Sequence, residues 1–396
     1  MLVRRHAEAI LLQLAAEYPV VAVTGPRQSG KTTLVRTVFP DKPYVSLEDL
    51  DERQFAADDP RGFLSRYPDG AIFDEAQRCP ELFSYLQTRL DQTKRTGQFV
   101  LTGSQQFNLL SGISQSLAGR VALISLLPFA LSELQAAKLA PQALSELLFR
   151  GLYPPIYAGK RQARIWYGNY MRTYIERDVR QLINVRDLSA FQRFVRMCAG
   201  RTGQLTNLSA LASDCGVSHN TAKAWLSVLE ASYIVYLLQP HHRNFDKRLV
   251  KTPKLYFCDT GLACWLLGIR APAQLDSHAQ RGALFETWAL GELLKARYNR
   301  GLESNLYFWR DRSGNEVDVL IEVGSKLVPV EIKAGQTVSS DYFRGLVRWQ
   351  EMAKEISGET WLLYGGDKAQ TRLGHKVVPW AKIGAFASQL AAHEAM

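Results

Sequence analysis

Val20-Val21-Ala22-Val23-Thr24-Gly25-Pro26-Arg27-Gln28-Ser29-Gly30-Lys31-Thr32-Thr33 is the stretch on which the fold turns. It opens as a short, β-branched apolar run, the pattern of a buried strand. Gly25 to Thr32 then completes an unbroken G-x-x-x-x-G-K-[ST], a Walker A loop. Glycines let the backbone curl around phosphates, and the amides that start the following helix supply donors and a positive dipole end. Lys31 has the reach for β- and γ-phosphates, and the Thr32 hydroxyl suits Mg²⁺. Gly25, Gln28, Ser29, Gly30, Lys31, Thr32 and Thr33 are the expected nucleotide contacts, with ATP and Mg²⁺ as ligands.

Working outward, short apolar strands alternate with amphipathic helices through residue 135, the signature of a parallel sheet with helices on its faces. Ala71-Ile72-Phe73-Asp74-Glu75 is an apolar strand that ends in two carboxylates. Asp74 is placed to hold the metal's water shell, and Glu75, one residue further, to act as general base on the attacking water. Nucleotide binding alone needs only the aspartate, so the pair points to hydrolysis. The strand Phe99–Thr102 leads into Gly103-Ser104-Gln105, where Ser104 or Gln105 can touch the γ-phosphate or the water.

The order of Walker A, Asp-Glu, polar strand end, helix, Gly119-Arg120 and a further strand resembles the AAA+ ATPases. That resemblance assigns Arg120 the arginine-finger position, acting in a neighbouring subunit's site, and implies a homo-oligomeric ring, most often a hexamer. A surface or strand-capping arginine is the other reading of Arg120. The whole chain resembles a prokaryotic family of AAA+-type ATPases whose C-terminal half is known only as a domain of unknown function. Matching phrases run from Thr24-Gly25-Pro26-Arg27-Gln28 through Phe73-Asp74-Glu75-Ala76-Gln77, Leu101-Thr102-Gly103-Ser104 and Tyr174-Ile175-Glu176-Arg177-Asp178 to Glu316-Val317-Asp318 and Glu331-Ile332-Lys333.

The remaining chain divides into a helical lid over 136–200, a winged helix-turn-helix over 201–272 and a C-terminal α/β domain over 273–396, beside the ATPase core at 1–135. In the second of these, the helices Leu208–Cys215 and His219–Leu229 flank Gly216-Val217-Ser218, and the second helix carries His219, Asn220, Thr221, Lys223 and Trp225 towards a groove. Arg243, Lys247, Arg248, Lys251 and Lys254 follow as a basic wing. In the last domain, Asp318, Glu331 and Lys333 lie on one strand hairpin, with Glu286 on the preceding helix. This D-x(12)-E-x-K spacing resembles the restriction-endonuclease-like fold, which implies a second metal site at Asp318 and Glu331 with Glu286 and Lys333 beside it; a retained fold without cleavage is the alternative.

Charge sharpens the choice of partner. The chain of 396 residues has a net charge of +10. Residues 1–135 carry 14 basic and 15 acidic side chains and residues 276–396 carry 15 of each, while residues 136–275 carry 19 and 8. The whole excess sits in the middle, the footprint of a polyanion partner, because each neutralised phosphate releases counterions. A merely solvated basic surface is the plainer reading. Hydrophobic content of 46% and charged content of 22% exclude a disordered polymer. Five scattered cysteines without a CxxC pair exclude a disulfide framework or zinc ribbon.

The longest apolar run, Val121–Leu131, is broken by Ser125 and Pro128 and is too short to cross a bilayer. The N-terminus reads as an amphipathic helix and not a secretory signal, so a cytoplasmic location without membrane contact is expected. The combined expectation is a ring ATPase that hydrolyses ATP between subunits and moves on or remodels DNA by backbone or structure recognition. The competing reading is an ATP-gated switch or scaffold that docks a protein partner.

Overall fold

The computed structural model describes residues 2–104, 109, 113, 115–174, 187–241, 250–311 and 313–392. The chain forms two compact units. The first comprises Met1–Phe129 with the short segments Ala231–Tyr233 and Tyr298–Leu302; the second comprises Ala130–Glu230, Ile234–Arg297 and Glu303–Met396.

The first unit is built on a five-stranded parallel sheet of β1 (Val20–Thr24), β2 (Tyr44–Ser46), β3 (Ala71–Asp74), β4 (Phe99–Gly103) and β5 (Val121–Ser125), in the order β2-β3-β4-β1-β5. All five residues of β1 and of β4 are buried, as continuous apolar runs require when helices cover both faces. Side chains alternate between those faces. Val20 and Ala22 join Phe73, Phe99 and Leu86 on one side, while Val21 and Val23 join Leu11, Leu34 and Val35 on the other. That second layer comes from α1 (Ala7–Glu17) and α2 (Lys31–Val38). Because β1 pairs in parallel with β4 (Thr24↔Gly103) and with β5 (Thr24↔Ser125), the loops that follow these strands leave from one edge of the sheet.

The second unit carries a nine-stranded mixed sheet. Its strands are β6 (Gln204–Leu205), β7 (Val235–Pro240), β8 (Lys254–Phe257), β9 (Leu306–Arg310), β10 (Glu316–Val323), β11 (Lys326–Lys333), β12 (Trp361–Tyr364), β13 (Gln370–Arg372) and β14 (His375–Pro379). The order is β13-β14-β12-β11-β10-β9-β7-β8-β6. Gln239 and Pro240 of β7 pair in parallel with Tyr307 and Phe308 of β9, so the sheet passes without a break from the segment after the two helices into the C-terminal strands. The register of β10 on β9 shifts between Val317 and Leu320, which puts Asp318 at a bulge, a device that re-aims a side chain.

The helices Leu208–Cys215 and His219–Ala231 form as the sequence reading expects. Asn207 caps the first by accepting from the Ala210 amide at 2.9 Å, and Gly216 ends it with a φ of 68°. The described residues of 136–200 include the helices Leu144–Arg150, Pro154–Tyr157, Ala163–Tyr174 and Leu188–Ala199. Among the described residues no helix is long and apolar enough to cross a membrane.

Phe73 lies at the centre of the aromatic packing in the first unit, with ring centroids 5.4 Å from Phe63, 5.7 Å from Tyr67 and 5.5 Å from Phe99. Phe73→Ala should cost about 3–5 kcal/mol through lost burial and the cavity left behind. A urea titration checks this in the unfolding transition that nucleotide shifts, since ligand binding marks the unit that contains the loop.

Candidate functional site

The loop after β1 owes its shape to three residues with positive φ: Gly25 at 143°, Gln28 at 61° and Gly30 at 95°. A Cβ on Gly25 would meet the Leu126 carbonyl oxygen at 2.2 Å, so only glycine fits. The first bond within α2 runs from the Leu34 amide to Gly30 O at 2.9 Å. Lys31, Thr32 and Thr33 therefore form a first turn whose amides find no acceptor within the helix. Lys31 is 6% exposed, and its Nζ donates to Gly25 O and Pro26 O, both at 2.9 Å. Ser29 Oγ is buried in the loop with no partner among the described residues. A closed ring of backbone with an ammonium folded onto it and an unsatisfied hydroxyl inside fits a phosphate group.

The carboxylates at the end of β3 are held separately. Asp74 accepts from Thr32 Oγ1 at 3.0 Å, from Tyr44 OH at 2.7 Å and from the Thr102 hydroxyl. Burial, and then the hydrogen bond and charge of Asp74, push the Tyr44 phenol well above its ordinary pKa, so it stays a donor. Thr32 and Asp74 meet directly, which fits them to share a magnesium ion. Glu75 leaves the strand with a φ of 55°, a left-handed conformation that costs a non-glycine residue about 1 kcal/mol. Its Oε2 accepts from Ser104 Oγ at 3.0 Å and from the Gln77 amide group. Ser104 therefore reaches the Glu75 carboxylate directly. Gln105 lies outside the described residues.

Two residues that the sequence reading passed over complete the first unit's site. Arg5, 7% exposed, donates to Ser29 O and Leu127 O, both at 2.7 Å, and sits 5.0 Å over the Phe129 ring. It ties the loop backbone to the chain that follows β5. Tyr233 OH shares hydrogen bonds with Thr24 Oγ1 at 2.8 Å and Ser125 Oγ at 3.2 Å, beside the first glycine of the loop. Only long-range proximity reveals either role.

Arg120 directly precedes β5, and its carbonyl accepts from the Val20 amide at 3.2 Å. It therefore stands at the opening end of β1 and β5, while the loop leaves from their closing end. Five strand residues separate the two, about 16 Å at the usual rise. Its Nε donates to Asp91 Oδ1 at 2.7 Å, with the side chain about one-third exposed (32%).

In the second unit, Lys223 is exposed on its helix and Lys251 is exposed ahead of β8. Arg243, Lys247 and Arg248, and residues 175–178 of the quoted Tyr174–Asp178 phrase, lie outside the described residues. Two wing and groove assignments are corrected. Trp225 is 5% exposed and packs edge-on against Phe191 and Phe194, with centroids at 5.2 and 5.4 Å, because the helix needs it as a core anchor. Lys254 is 3% exposed in β8 and pairs with Glu286 at 3.4 Å and with Glu316, so it cannot grip a phosphate.

The C-terminal acids do come together. Lys333 Nζ lies 2.8 Å from Asp318 Oδ2 and 2.7 Å from Glu331 Oε2. Burial pushes the Asp318 carboxyl up, but the ammonium groups of Lys333 and Lys254 outweigh it and hold the group below the usual carboxylate range. Burial and the Asp318 charge push Glu331 well up. The same two causes raise Glu286 to about 7, against the pull of Lys254. A cavity of about 800 Å³ opens onto Glu316, Asp318, Glu331 and Lys333. Among the described residues no group of three side chains is arranged to hold a metal ion. Glu286 faces Lys254 and accepts from Tyr256 OH, so the third carboxylate of the expected set already has an internal cation.

A parallel sheet with a phosphate loop, an Asp-Glu pair and a polar residue on the strand between them defines a P-loop ATPase of the AAA+ type. A family model described as an AAA domain matches residues 17–135, and two described as domains of unknown function match residues 141–273 (DUF8612) and 281–383 (DUF4143). Uncharacterized proteins of Mycobacterium tuberculosis and Mycobacterium bovis are each 34% identical over 342 residues, which is 85% of this chain and 75% of theirs. The chain belongs to this prokaryotic family of AAA+-type ATPases with a C-terminal DUF4143 domain. Among solved structures, a Walker-type ATPase of Pyrococcus abyssi is 16% identical with a TM-score of 0.46, covering 66% of this chain and 94% of that one. DnaA from Aquifex aeolicus, bound to AMPPCP, is 15% identical with a TM-score of 0.30, covering 57% and 85%.

Lys31→Ala should weaken nucleotide binding, whereas Glu75→Gln should leave binding intact and lower hydrolysis by about 10²–10⁴-fold, the usual worth of a positioned base. Nucleotide affinity measured beside phosphate release separates the two effects.

Proposed function

We propose that the protein assembles into a cytoplasmic ring, of six subunits as the AAA+ resemblance implies, hydrolyses ATP between subunits and uses the cycle to move on or remodel DNA. The observation that carries the ring is the place of Arg120. At the opposite end of β5 from its own loop, partly exposed beside Asp91, Arg120 lies away from its own subunit's phosphate loop, which supports a role in a neighbour's site.

Within one site, the first turn of α2 and Lys31 bind the phosphates, with Lys31 exchanging the carbonyls of Gly25 and Pro26 for phosphate oxygens. Thr32 and Asp74 are suited to hold Mg²⁺, which offsets phosphate charge when bound. Glu75 takes the proton of the attacking water at its carboxylate, and Ser104 and Gln77 fix the direction of that carboxylate. A neighbour's Arg120 supplies positive charge where negative charge builds up in the transition state.

DNA is supported by the excess of 19 basic over 8 acidic residues in 136–275, with Lys223 and Lys251 exposed and with Arg243, Lys247 and Arg248 in the same stretch of sequence. The C-terminal domain enters this reading as a nuclease-like fold. Lys254 pairs with Glu286, and Lys333 with Asp318 and Glu331, and no cleavage step is assigned to these acids.

Arg120→Ala should abolish hydrolysis with little loss of ATP binding, and mixing it with Lys31→Ala should restore part of the rate, because one variant keeps a site and the other a finger. Full-rate hydrolysis by dilute monomer would overturn the ring. DNA should raise the ATPase rate; a rate indifferent to single-stranded, duplex and branched DNA would favour the protein-docking switch.

A further inference from the structure

Part of the basic excess of residues 136–275 gathers away from the residues named so far. A cavity of about 730 Å³ in the second unit is walled by six cations, Lys138, Arg150, Lys160, Arg161, Arg164 and Arg270, and by no carboxylate. Arg150 is paired, with Glu146 at 3.1 Å, and lies 4.6 Å over the Tyr157 ring. The other five are exposed, and none has an ion pair with a described residue.

These cations arrive from separate places in the chain: the turn after the helix Leu131–Ala136, the segment around the start of the helix Ala163–Tyr174, and the turn that ends in Arg270. Gathering them into one concavity costs mutual repulsion and focuses positive potential inside it. Leu139, Phe149 and Ile156 add apolar side chains to the same lining. A single phosphate would leave most of this charge and the apolar part of the lining unanswered. A chain of phosphates that also carries flat bases matches both, because cations track the backbone and an aromatic face takes a base.

The geometry points to this cavity as a binding site for one strand of nucleic acid, with the backbone along Lys160, Arg161 and Arg164 and a base against Phe149. It deepens the DNA reading above and rests on it, but uses none of the residues 223–251 named there.

The test compares wild-type protein with Lys160→Gly/Arg161→Gln/Arg164→Gln and with Arg243→Ala/Lys247→Ala/Arg248→Ala, using fluorescence anisotropy of a labelled oligothymidylate of about 20 nucleotides at several salt concentrations. Lys160 holds a φ of 47°, which glycine adopts without strain, so the first variant should keep or raise its thermal midpoint. Three lost phosphate contacts should reduce the slope of log affinity against log salt by about 2, at roughly 0.7 per contact for single strands. The expected result is that reduction with at least a tenfold loss of affinity at low salt, and unchanged ATP turnover without DNA. If wild type binds and the cavity variant matches it in affinity and slope, the cavity is overturned while the DNA reading stands. If wild type binds no oligothymidylate at low salt, with or without ATP, the cavity is overturned, and the DNA reading falls with it only if duplex and branched DNA also leave the ATPase rate unchanged.

Discussion

Everything in the first unit depends on β1 being hydrogen-bonded on both sides by parallel strands and covered on both faces by helices. That double burial fixes where the strand ends, and the phosphate loop begins at the next residue. β4 lies between β1 and β3, so Thr102 and Ser104 fall between the loop and the acidic pair and bond to Asp74 and Glu75 in turn. The polar groups of the site are thus placed by an entirely apolar interior. A shift of one residue in β1 would turn Val21 and Val23 to the wrong layer and move Gly25 away from the Leu126 carbonyl.

The two units balance charge in opposite ways. Around the phosphate loop, Lys31 bonds to the carbonyls of Gly25 and Pro26, partners that it can exchange for phosphate oxygens. In the C-terminal cluster, two lysines stand among four carboxylates, Lys254 buried at 4% side-chain exposure and Lys333 one-third exposed at 33%. A buried ion pair is costly to assemble and more costly to break singly. The cluster therefore behaves as a fixed brace between β8, β10, β11 and the helix Arg281–Tyr298, and the loop as a socket.

Local signals made the ATPase core legible. The Walker A spacing, the apolar strands and the Asp-Glu pair each lie within a few residues, and their meaning does not depend on distant chain. The same holds for the helices of 208–231, where Asn207 and Gly216 cap at the expected ends. What remained hidden depends on contacts far apart in sequence. Arg5 reads as the start of an amphipathic helix until the fold sets it under Ser29 and Leu127. Lys254 reads as one more cation in a basic run, because nothing local says that β8 faces Glu286 and Glu316. Trp225 has the spacing of a groove reader and the size of a core anchor, and Phe191 and Phe194 decide between them. Beyond Lys333, Gly365-Gly366-Asp367 and Gly374 divide short apolar runs that carry no chemical motif, and these become strands through a chain of pairings, β12 parallel to β11, β14 parallel to β12 and β13 antiparallel to β14.

The pairing of β7 with β9 has a consequence for how the chain can be divided. A boundary drawn near residue 273 falls between segments of sequence, yet a single sheet runs across it through Gln239↔Tyr307 and Pro240↔Phe308. A fragment that starts after this boundary would present β9 as a bare edge, with the buried rings of Phe308 and Trp309 next to open amides and carbonyls. Such an edge recruits another strand, from a second copy if none is supplied. A C-terminal fragment of this chain that keeps its sheet closed at β9 has to include β7 and β8, and so is longer than the span of the C-terminal family model.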